Sequence, residues 1–159
     1  MALAEVLLSD ATCRIGTSRN LIVYTWRDPP TVTQLREASR ISRALGRRYP
    51  AGTGLFNVII EGTPRFSEEV RVETARLTAD PAVASLGSAD VVLLTGFAGV
   101  AVRGFMNTAN LLARVPRPRQ VFGDMASGAA WLAPKLAVAG EVWTPAQVMA
   151  VAEEMIGAR

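Results

Sequence analysis

The sequence predicts an α/β fold: a mainly parallel sheet of about five strands, opened by an N-terminal β-hairpin and extended by one extra C-terminal helix. Three observations carry this reading. Two short runs rich in β-branched and aromatic residues stand side by side near the N-terminus. Near-continuous apolar runs then alternate with capped amphipathic stretches, and a further capped helix follows the last of these units. Strands separated by helices require crossover connections, hence parallel pairing of one hand. The 159 residues fit a single domain, with its core over about 11–132 and a helical extension over about 144–157.

The elements follow in order. Residues 11–16 and 21–27 read as strands flanking the turn-prone Thr17-Ser18-Arg19-Asn20, and Leu21-Ile-Val-Tyr-Thr-Trp26 has the stronger strand composition. Pro29 and Pro30 stop the second strand because neither can donate to a ladder. Thr31 and Gln34 match a capping box, opening a helix that runs to about Tyr49 before Pro50 and Gly52. The apolar run 54–60 is a strand covered on both faces.

Ser67, followed by Glu68 and Glu69, caps a second helix ending near Asp80-Pro81, and residues 89–95 form another buried strand. A third helix over about 100–114 places Val102, Phe105, Met106, Ala109 and Leu112 on one face. Arg103, Asn107, Asn110 and Arg114 fall on the other. Residues 119–122 form a short strand, and Asp124 caps a fourth helix containing Trp131 and Leu132. Thr144, Pro145 and Gln147 open the last helix, whose Val148, Val151, Ala152 and Met155 repeat at helical spacing.

Composition excludes several kinds of chemistry. The chain has no histidine, so imidazole catalysis and imidazole metal ligation are absent. One cysteine, Cys13, forms neither a disulfide framework nor a CxxC pair. It reads as a buried, inert thiol, since its neighbour Arg14 points to the opposite strand face. The acids Asp28, Glu61, Asp90 and Asp124 form no spaced pair with a general-acid partner, and Glu61 and Asp90 read as near strand ends. No catalytic residue, cofactor site or metal site emerges. The N-terminal segment lacks the basic start of a signal peptide, and no run reaches the length of a membrane span, so the expected location is cytoplasmic. A net charge of +3, spread over 17 basic and 14 acidic residues, argues against nucleic acid as a partner.

The order and size of these elements resemble the STAS domain, the fold of bacterial anti-sigma-factor antagonists and of the cytoplasmic tails of anion transporters. The segments Val121-Phe-Gly-Asp-Met-Ala-Ser-Gly-Ala-Ala-Trp-Leu132 and Gly96-Phe-Ala-Gly-Val-Ala-Val-Arg103 are similar to a SpoIIAA-like bacterial branch of it. The resemblance covers about residues 11–132 and implies a non-enzymatic module that docks a protein partner or a second copy of itself. In the antagonists a regulatory serine sits where the third strand meets the second helix. Here that junction, Glu61-Gly-Thr-Pro-Arg-Phe-Ser67-Glu-Glu69, has no Asp-Ser pair, and Ser67 reads as a helix cap, with a phosphorylation site as the weaker alternative.

Two further features remain as candidates. Arg36, Arg40, Arg43 and Arg47 share one face of the first helix, with Glu37 as the acid nearby; an ordinary solvated face and an acidic protein surface both fit. Gly96, Gly99 and Arg103 read as a strand-to-helix loop, either a tight turn or an anion contact. The expected function is a protein-interaction module of STAS-like type without the phosphoserine switch, possible homodimerisation included. The alternative is a small-molecule or lipid-binding domain, enzymatic or not, with a pocket between sheet and helices lined by Phe97, Phe105 and Trp131.

Overall fold

The computed structural model describes residues 1–63, 65–113 and 117–157. Six strands form one sheet in the order of the chain: β1 (Glu5–Ser9), β2 (Cys13–Ser18), β3 (Leu21–Trp26), β4 (Gly54–Ile59), β5 (Gly87–Val92) and β6 (Arg119–Phe122). The first three pair antiparallel, and β3 to β6 are parallel. The helices are α1 (Val32–Arg48), α2 (Glu68–Ala79), α3 (Gly96–Ala113), α4 (Met125–Leu132) and α5 (Pro145–Gly157), with a 3₁₀ turn at Ala133–Leu136. The α/β class, the antiparallel opening, the parallel βα units and the added C-terminal helix are as the sequence predicts.

Two boundaries differ. The sheet has six strands rather than about five, because Glu5–Ser9 adds an outer strand against β2. The hairpin turn is Arg19-Asn20 alone, with Thr17 and Ser18 in the ladder, since Arg19 takes a positive φ of 49° that tightens the loop to two residues. Asn20 then holds the turn to the rest of the domain. Its side chain donates to the Gly52 and Leu136 carbonyls and accepts from the Trp143 indole at 2.8 Å.

Because β3 to β6 follow one another in space, crossovers of one hand place α1, α2 and α3 on the same sheet face. Side-chain alternation sorts the core accordingly. Leu21, Val23, Phe56, Val58, Ala89 and Val91 pack against α4, the 3₁₀ turn and α5. Ile22, Tyr24, Trp26 and Leu55 turn instead toward α1 and α2. On the first face the helices seat closely: a Cβ at Gly128 of α4 would lie 2.8 Å from Val91 and 3.1 Å from Phe56.

The α5 stripe of Val148, Val151, Ala152 and Met155 is fully buried in this core. Glu154 accepts the Leu3 and Ala4 amides, while Arg14 and Arg27 donate to the Met155 and Ile156 carbonyls at the helix C-terminus. A short helix of this kind is held by packing rather than by propensity. Met155→Ala should therefore destabilise the domain by about 2–5 kcal/mol, read as a lower denaturation midpoint with unchanged slope.

Candidate functional site

The second sheet face is not filled in the same way. Between it and α1, α2 and α3 lies a cavity of about 510 Å³. The floor comes from Tyr24, Trp26, Leu55, Asn57, Ile59 and Ser88, and the roof from Val70, Thr74 and Leu77 of α2 with Val102, Phe105 and Met106 of α3. Phe66 and Phe105 stack with ring centres 5.1 Å apart and tie the entry of α2 to α3. Exposed Asp28, Glu61, Thr63 and Arg71 border the cavity at the C-terminal ends of β3 and β4. Its other end lies by Ser88, Arg117, Arg119 and Thr78.

The register builds the polar part of this floor. Tyr24, Asn57 and Asp90 face each other across β3, β4 and β5, so their side chains share one face. Trp26 Nε1 donates to Asn57 Oδ1 at 2.8 Å, and Asn57 Nδ2 donates to Asp90 Oδ1 at 2.8 Å. Arg119 Nε donates to Asp90 Oδ2 at 2.8 Å, and its Nη1 reaches the Thr78 hydroxyl. Asp90 is 0% exposed and the Arg119 side chain 14%, so this ion pair is taken almost wholly out of water.

Arg117 donates to the main-chain carbonyls of Thr78 and Asp80. Burial, then the like charge of Arg119, lowers its basicity, against an opposing pull from Asp80. Two buried polar atoms in this region have no hydrogen-bond partner among the described residues: Ser88 Oγ and Arg117 Nε. Burial pushes the Tyr24 phenol up to about 12, so it stays protonated while bonded to Ser42 and the Ala38 carbonyl. On the β2 side, burial likewise pushes the Cys13 thiol up to about 12, which removes thiolate character near neutral pH.

The residues singled out in the sequence fall mostly elsewhere. Phe105 lines the cavity, but Phe97 is 89% exposed, and Trp131 lies across the sheet beside Phe122 and Lys135. Gly96–Arg103 is not a loop: α3 begins at Gly96, four residues earlier than expected. Gly99 is needed there because a Cβ would sit 2.0 Å from the Leu94 carbonyl oxygen, which also accepts from Arg103. The side chains of Ala109, Asn110 and Leu112, and all of Arg114, lie outside the described residues. Ser67 is the N-cap of α2, its hydroxyl accepting the Val70 amide at 3.2 Å.

The arginine stripe has more acids beside it than Glu37. Arg36 pairs with Glu73 at 3.4 Å and Arg43 with Asp80 at 2.7 Å, both across the seam to α2, while Arg40 holds Glu37 on its own helix. These acids are distant in sequence and reach the stripe only because α2 packs beside α1. Arg47 is exposed and makes no ion pair among the described residues. Asp90 is also relocated: β5 starts at Gly87, so Asp90 lies in mid-strand rather than near an end.

No family model, curated protein or solved structure matches the chain. Among the described residues no group of three or more acidic or cysteine side chains is placed to hold a metal, and no helix is long and apolar enough to cross a membrane. Fold and site together define an α/β sandwich with one tightly packed sheet face and one face that borders a partly open, largely apolar cavity over a buried ion pair.

The pair dictates a specific mutational pattern. Asp90→Leu or Arg119→Met alone strands a buried charge and should cost about 3–5 kcal/mol. The double variant should recover most of that loss, because an apolar replacement of both partners leaves nothing unpaired. Chemical denaturation of the three variants measures it, and additive losses would contradict the assignment.

Proposed function

We propose that the protein is a small-molecule binding domain whose ligand occupies the cavity between the sheet and α1, α2 and α3. The observation that carries this reading is the contrast between the two sheet faces. One is packed until glycine is required at Gly128, while the other borders a partly open cavity of about 510 Å³. That volume falls in the roughly 300–1,000 Å³ range of ligand pockets, and apolar walls with a few fixed polar groups are what such pockets use. The chain has no histidine to bring imidazole acid–base chemistry to this cavity.

The interaction-module reading implied by the STAS-like element order has one supporting observation of its own. β1 is an outer strand of the sheet with Val6 and Leu7 exposed, an edge that suits pairing with a second copy of the chain. Sedimentation velocity tests it, a monomer at all concentrations counting against it.

The binding reading is tested with N-phenyl-1-naphthylamine, an uncharged probe whose fluorescence rises in apolar surroundings. The protein should bind one probe per chain, and Thr74→Trp, which fills the cavity from α2, should abolish binding while the circular dichroism spectrum is kept. No fluorescence rise with the wild-type chain would contradict the proposal.

A further inference from the structure

We infer that the cavity takes a single-chain carboxylate, its head at the Ser88–Arg117 end and its hydrocarbon chain between α2, α3 and the sheet. This rests on the binding reading above and specifies the ligand. The cavity is polar at its two ends and apolar between them. Between the Ser88–Arg117 end and the exposed rim of Asp28, Glu61, Thr63 and Arg71 its walls are largely apolar, with Leu55, Ile59, Val70, Leu77, Val102 and Phe105 in contact with whatever fills it.

The buried end, at Ser88 and Arg117, carries an excess of donors. Ser88 is 1% exposed, and its hydroxyl has no hydrogen-bond partner among the described residues; Arg117 Nε is in the same condition. A buried polar group without a partner costs free energy, so two of them on residues that line one cavity mark the end at which a ligand would supply acceptors. An arginine N–H can only donate, so the ligand atom facing Arg117 Nε is an acceptor, and the Ser88 hydroxyl is free to donate to the same group.

Charge decides the class of acceptor. Among the described residues, Arg117, Arg119 and Arg43 stand at or behind this end, against Asp90 and Asp80. Asp90 is taken by Arg119 and Asp80 by Arg43, which leaves the Arg117 guanidinium bonded only to neutral carbonyls. One uncompensated positive charge in a half-buried position calls for one negative charge. A carboxylate brings a single charge and two acceptor oxygens, and charge-assisted bonds from a guanidinium and a hydroxyl are the strong kind. A phosphate monoester would bring up to two charges against one. The apolar remainder excludes a small hydrophilic acid, which would leave the space between α2 and α3 unfilled.

The test displaces N-phenyl-1-naphthylamine with four ligands that share a ten-carbon chain: decanoate, decanol, decylamine and decyl phosphate. Probe binding by the wild-type chain establishes the cavity; if the probe does not bind, the binding reading fails and not merely this inference. With the probe bound, decanoate should compete at least about tenfold better than decanol, as expected for charge-assisted bonds made in a site shielded from water. Decanol, decylamine or decyl phosphate competing as well as decanoate would overturn the carboxylate assignment while leaving the binding reading intact.

Ser88→Ala removes a hydroxyl that has no protein partner, so the fold should be kept. In that variant decanoate should weaken several-fold while decanol is unchanged. Arg117→Gln should erase the preference for decanoate altogether. A preference that survives both substitutions would place the head group elsewhere and overturn the inference.

Discussion

A carboxylate with no access to water sits in the middle of the parallel sheet, and much of the second face is organised to accommodate it. Asp90 occupies a mid-strand position on β5, flanked along the ladder by Ala89 and Val91, whose side chains go to the packed face. A buried charge without a partner is costly at that depth. Arg119 on β6 neutralises it, Asn57 on β4 donates to its other oxygen, and Trp26 on β3 completes Asn57. One charge thus sets requirements on three neighbouring strands, and it does so through register. Tyr24, Asn57 and Asp90 come level only because β3, β4 and β5 pair as they do. A shift of one residue would send the acid into the apolar core beneath α4 and α5.

The two faces therefore serve different ends. Beneath α4 and α5 the sheet offers small and branched apolar side chains, and the helices approach until a single methyl group would clash at Gly128. Beneath α2 and α3 a polar network cannot be capped by interdigitating apolar side chains without burying more unpaired groups. The space left there is a partly open pocket of about 510 Å³. The Phe66–Phe105 stack and the Arg43–Asp80 and Arg36–Glu73 pairs hold α1, α2 and α3 to one another beside the cavity. In both pairs the arginine is exposed while the acid is largely buried, so each arginine compensates a carboxylate held at the helix seam.

Much of this architecture is legible in the sequence because its signals are local. The capping box of Thr31 with Gln34, the Ser67 and Asp124 caps and the Thr144–Gln147 pair mark helix starts through bonds three residues long. The buried α5 stripe follows from helical spacing alone. Strand β1 is harder to read. Four of its five residues are exposed, so Glu5-Val-Leu-Leu-Ser9 shows no alternation of buried and solvent-facing positions.

The site was partly hidden for a related reason. Asn57 sits in a run that otherwise reads as continuously apolar, and the acids paired with Arg36 and Arg43 lie 37 residues away in the chain. One signal was available. Gly54–Ile59 and Gly87–Val92 are six-residue strands, each beginning with glycine and each carrying a lone amide or acid at its fourth position. Aligned on those glycines, Asn57 and Asp90 fall side by side. What no single-sequence pattern conveys is that α2 and α3 stop short of the sheet, since that depends on side-chain volumes summed across five elements.

The central claim is that this one face of the sheet leaves an apolar cavity unfilled, and xenon tests it without presupposing any ligand. Xenon enters dry apolar cavities and perturbs the methyl groups that line them. Methyl-detected NMR under xenon pressure should move the resonances of Val70, Leu77 and Val102 in a saturable manner. Those of Leu132, Val148 and Val151 on the packed face should stay in place. Shifts that are absent, or equal on the two faces, would contradict the account.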